Sequence, residues 1–162
     1  MAILTYSART LLLKYILTHP LYLAIGKGKK SWDTDPEAPD YEDIDLLSII
    51  GYKKLTRWFY VNDDDNGEID LPGGRYYSAS EIPTRHACLE YVFRYGEAVG
   101  EEVREVGIFA DTVVTGGLPS NQTYFTPAQI IKKGTLIALE HLEAPDTFTP
   151  NKTGCYRTVL TI

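Results

Sequence analysis

The stretch HACLEYVFRYGEAV, residues 86–99, decides the fold class. Ala87, Leu89, Tyr91, Phe93 and Tyr95 alternate with His86, Cys88, Glu90, Val92 and Arg94, a period of two that belongs to a strand. VREVGIFADTVV, residues 103–114, has the same β-branched and aromatic make-up, and the turn around 96–102 predicts that it folds back on 86–99 as a hairpin. Further out lie TRWFYVN (56–62), GEIDLPGGRYY (67–77), KGTLIALEHLEAP (133–145) and CYRTVLTI (155–162), with LYLAIG (21–26) as a short strand near the start. Their connections are short, which favours antiparallel pairing. LPSNQTYFTPAQ, residues 118–129, reads as a loop.

Helical spacing is confined to the first third of the chain. Tyr6–Leu17 places Leu12, Tyr15 and Ile16 on one face with Leu13 and Leu17 beside it, and Pro20 ends the segment. Asp43–Leu55 predicts a second helix, with Ile44, Leu47, Ile50 and Gly51 toward a core. The expected fold is α+β: two N-terminal helices followed by a mostly antiparallel β-sandwich or twisted β-sheet. It forms a single domain over 1–162, helical in 1–55 and β-rich in 56–162. No internal repeat interrupts this pattern.

With 162 residues, 44% of them hydrophobic and 23% charged, the chain can bury a core without disulfides or metal. A net charge of −6 argues against a broad nucleic-acid surface, because phosphate contacts need clustered cations. The apolar run Leu11–Ile25 is broken by Lys14, His19 and Pro20, well short of the ~20 residues a membrane span needs. It also lacks the pattern of a signal peptide, so a soluble, cytoplasmically made protein is expected. Cys88 and Cys155 show no ligand spacing and are expected as two buried reduced thiols.

NDDDNGEIDLPG, residues 62–73, has the first half of a calcium loop: Asn62, Asp64 and Asn66 at alternate positions, then Gly67. Its twelfth position is Gly73 where a bidentate glutamate is needed, and strands flank it instead of helices. A solvated hairpin tip is the expectation, with weak calcium binding as the alternative. His19, His86 and His141 fall in no hydrolase or metal motif. GKGKK at 26–30 lacks phosphate-loop spacing and reads as a surface turn, and Glu101, Glu102, Glu140 and Glu143 read as exposed strand and turn positions. No catalytic, cofactor-binding or metal residue is assigned. The aromatic residues, 12 Tyr, 5 Phe and 2 Trp, concentrate in the strands and in YFTP, which suits both a core and a surface buried against neighbours.

LYLAIGKGKKSWD, IGYKKLTRWFYV, GEIDLPGGRYYSAS, PTRHACLEYVF, VREVGIFADT and YFTPAQIIKKGTLIALEH together resemble a family of small structural proteins from contractile-tailed bacteriophages, found in tail and baseplate gene clusters. VREVGIFADT is also similar to a segment in the attachment domains of phage tail fibres. The resemblance implies a virion component, ripcord-like or adaptor, that joins the tail tube or sheath to the baseplate without catalysis. Its partners would be tube, sheath, hub or wedge subunits, in multiple copies with six-fold symmetry, and neither nucleic acid nor membrane. The alternative is a tail-associated module that carries a fibre or recognises a host-surface glycan. The candidate contact positions are Leu12, Tyr15 and Ile16 on the first helix, Tyr22 in LYLAIG, and Tyr124 and Phe125 in the stiff loop Gly116–Gln129. The helix and LYLAIG could equally cover the domain's own sheet.

Overall fold

The computed structural model describes residues 2–71, 74–147 and 153–162. One helix, α1 (Tyr6–Ile16), is followed by twelve strands in the described residues: β1 (Leu21–Gly26), β2 (Ile49–Lys54), β3 (Arg57–Asp63), β4 (Ile69–Leu71), β5 (Arg75–Ala79), β6 (His86–Phe93), β7 (Glu102–Ala110), β8 (Val113–Val114), β9 (Tyr124–Phe125), β10 (Ile130–Lys132), β11 (Thr135–Thr147) and β12 (Gly154–Thr161). Among the described residues no helix is long and apolar enough to cross a membrane.

Two compact units share the chain. The first takes the residues up to His19, Leu55–Tyr91 and Cys155–Ile162; the second takes Pro20–Lys54 and Val92–Gly154. One sheet has the strand order β12-β6-β3-β5-β4, with Val61, Ile69, Tyr77 and Cys88 as its buried cluster. The other has the order β11-β7-β1-β2-β9, alongside a two-stranded ribbon of β8 and β10. Here β1 is buried along its whole length and lies between two antiparallel partners, β7 and β2. Register does the rest. Tyr22 opposes Phe109, Ala24 opposes Tyr52, and Tyr52 opposes Phe125, so these five side chains share one face and form a core with Leu46.

Several expectations about elements are corrected. The second helix is absent: residues 49–54 form β2, and the chain before it is turns and bends. Ile44, assigned to the core of that helix, is 86% exposed. Ser48 has a left-handed φ of 51°, which a helix does not tolerate, and Ile49 and Ile50 are β-branched. Spacings of three and four over so short a run fit a strand preceded by a loop equally well.

The expected hairpin between 86–99 and 103–114 does not form, since β6 lies between β12 and β3 while β7 lies between β11 and β1 in the other sheet. The strand itself stops at Phe93, before Gly96 and Ala98 turn the chain with φ of 81° and 54°. Nor does it have a wet face: within β6 only Val92 is exposed. The strands on either side of the acidic stretch, β3 and β4, do not pair with each other, because β5 lies between them. The turn itself is Asx-type, with Asn66 N–H donating to Asp64 Oδ1 at 3.0 Å and Gly67 N–H to the Asp64 carbonyl at 2.8 Å. The end of that stretch, Pro72 and Gly73, lies outside the described residues. Both cysteines are free thiols, but only Cys88 is buried; Cys155 is exposed.

Candidate functional site

Helix α1 is apolar on two opposite faces. Thr5 caps it by accepting the Ala8 N–H at 3.3 Å. At 100° per residue Leu13 and Leu17 point one way, and both are buried. Leu11, Leu12 and Tyr15 point the other way and are 67%, 42% and 64% exposed, with Ala8 among them. Arg9 and Lys14 flank this outer stripe, one on each side. Ile3, Leu4 and Tyr6 are exposed just ahead of it.

Of the candidate contact residues, Leu12 and Tyr15 lie on this outer stripe, and Ile16 is half-buried. Leu11 belongs to the stripe and was not singled out from the sequence, where its spacing to Tyr15 was the available signal. Tyr22 and Phe125 are core residues, their rings 5.9 Å apart. The expected aromatic projection is instead a short strand, β9, held on β2 by Tyr52↔Phe125 and Lys53↔Tyr124. Tyr124 is half-buried, and desolvation pushes its hydroxyl up to about 12.

The buried charges have structural partners. Glu90 is buried and accepts from Arg57 and from Arg157, the latter at 2.8 Å, and the Arg57 guanidinium, with Arg157 beside it, holds the Glu90 carboxyl below the usual carboxylate range. Lys53, also buried, donates to Glu97 at 2.6 Å and Thr123 at 2.9 Å; burial lowers its pKa against the pull of Glu97. Arg104 donates to Asp33 at 2.7 Å. His86 bonds Thr161 Oγ1 at 2.8 Å, and burial lowers its pKa. The His141 ring stacks on Trp32 at 4.0 Å and bonds the Glu37 carbonyl at 2.6 Å. Two of the three lysines of the GKGKK turn are paired in place, Lys27 with Glu101 and Lys29 with Glu37. Among the described residues no group of three or more His, Cys, Asp or Glu is arranged to hold a metal ion.

The whole chain, residues 1–162, matches the model of the family described as "Baseplate wedge 3 tail fiber network component". It is also similar to Virion protein 3 of Enterococcus phage phiEF24C, 30% identical over 135 residues that cover 75% of this chain and 72% of that protein. A β-rich chain with an outward apolar helix, matched end to end by that model, belongs to the baseplate wedge 3 tail fiber network component family and is a component of the phage virion baseplate.

Proposed function

We propose that this chain is a non-catalytic connector of the baseplate wedge, joining the tail tube and sheath to the baseplate through protein–protein contacts, with copies arranged in six-fold symmetry. The observation that carries this reading is the outer stripe of α1, where Leu11, Leu12 and Tyr15 stand exposed between Arg9 and Lys14. A helix with an exposed apolar stripe is a common docking element, and its large apolar side chains supply the binding energy once a partner removes them from water. The absence of catalysis is supported by the family match, whose description is that of a baseplate structural component. A second reading, a module that carries a fibre, is favoured by the words "tail fiber network" in the family's description.

Virions carrying Leu11→Glu with Tyr15→Glu test the proposal. The purified variant keeps the wild-type circular dichroism, since both side chains are exposed, and mass spectrometry finds the chain depleted from assembled particles. Wild-type amounts in the particle would sink it. Cross-linking of wild-type virions separates the two readings: links from α1 to tube, sheath or wedge proteins support the connector, and links to fibre proteins the carrier.

A further inference from the structure

The second unit carries a surface complementary to α1. No Asp or Glu precedes Asp33, whereas seven of the 22 acidic residues lie within 33–45. Three of those seven are neutralised locally: Asp33 by Arg104, Glu37 by Lys29 and Asp45 by Lys133. Asp40 and Asp43 have no cation among the described residues; their carboxylates accept only backbone N–H groups, from Glu42 and Asp40 respectively, each at 2.9 Å. Both line a groove of about 500 Å³ whose floor is Leu136–Leu139 of β11. That floor is apolar and half-buried, and β11 is the outer strand of its sheet. At the rim Tyr41 is 93% exposed.

The two surfaces match in kind. The helix offers an apolar stripe flanked by two cations that form no ion pair among the described residues. The groove offers an apolar floor beside two unpaired carboxylates. Both are open in a single copy, and both belong to every copy.

We propose that this groove receives helix α1 of a second copy of the chain, so that copies join head to tail. Leu11, Leu12 and Tyr15 settle against β11, and the cation on the edge of the stripe that faces the turn, Arg9 or Lys14, meets Asp40 and Asp43. Such a contact is heterologous: it uses different patches on the two copies, and it closes into a ring when the rotation between them divides a full turn. The pairing rests on the reading of α1 as a docking helix, and names what it docks on. Apolar burial supplies the attraction, while the charges select the partner and the register.

Sedimentation velocity of the purified full chain over a wide concentration range tests it. The wild type associates, and added salt weakens the association. Arg9→Glu with Lys14→Glu weakens it about tenfold or more, and so does Asp40→Lys with Asp43→Lys, because each places like charges together. Mixing these two variants restores association, since each helix then finds a groove of opposite sign. A wild type that stays monomeric, a groove variant that associates like wild type, or a mixture that does not associate overturns the proposal. A monomeric wild type combined with depletion of the Leu11→Glu, Tyr15→Glu chain from virions would overturn only the self-pairing, leaving α1 to dock on a different virion protein.

Discussion

Gly67 in the acidic stretch is fixed by a contact that no local pattern shows. A Cβ on this residue would lie 2.2 Å from the carbonyl oxygen of Tyr77 in β5, and backbone cannot yield as a side-chain tip can. Gly67→Ala is expected to cost about 1–3 kcal/mol in urea unfolding, the range for a forced backbone shift in a packed element. Turn chemistry in NDDDNG was legible, since Asp, Asn and Gly favour such turns locally. The approach of Tyr77 was not, because it depends on a strand ten residues away. Glu90 makes the same point about charge. Its folded carboxyl is held below its ordinary value, first by Arg57 and then by Arg157, so it contributes stability above the unfolded value of about 4.3 that is lost as pH falls through the lower folded one. Glu90→Gln is expected to lose about 2 kcal/mol at pH 7, with the gap to wild type constant above about pH 5 and narrowing in acid. Denaturant titrations across that pH range check both the size and the sign.

At the scale of elements, residues 49–54 were assigned to the wrong structure and 21–26 to the right one. LYLAIG has no competing helical pattern, and β1 spans those six residues. IIGYKK sits behind residues whose spacing also suits a helix, and only β1 on one side and β9 on the other make it a strand. Gly51 belongs to that pairing, for a Cβ there would lie 2.2 Å from Tyr124 Oη. Helix α1 is the reverse case, a local structure with its own cap. Thr5→Ala removes the oxygen that accepts the Ala8 N–H, at a cost of about 1 kcal/mol. The expected outcome is a smaller helical signal in circular dichroism and faster hydrogen exchange at the first turn of α1, with the strands unchanged. Which apolar residues of α1 face outward was half legible: Leu12 and Tyr15 were found and Leu11 was missed, because Leu11, Leu12 and Leu13 are adjacent and the sequence does not say which of them is buried.

At the scale of the whole molecule, the chain passes between its two units after His19, after Lys54, after Tyr91 and after Gly154. Neither unit is a continuous stretch, so ordering one closes the loops that contain the other. We propose on this ground that residues 1–162 fold as a single cooperative domain. Thermal unfolding followed by circular dichroism and by tryptophan fluorescence is then expected to give one coincident transition; two separated transitions would count against it. The resemblance to tail and baseplate proteins was legible in the sequence, because short motifs over most of the chain carry it. By itself the sequence determined that the protein is β-rich, that its strands pair antiparallel, that a helix lies near its start and that its acids cluster at 33–45, all consequences of neighbouring residues. Only the tertiary structure decided that β6 and β7 part into different sheets, that Tyr22 and Phe125 are core, and that α1 keeps an apolar face outward. Those depend on which distant strands reach one another, and the free energy of such long-range pairing is not written in any local period.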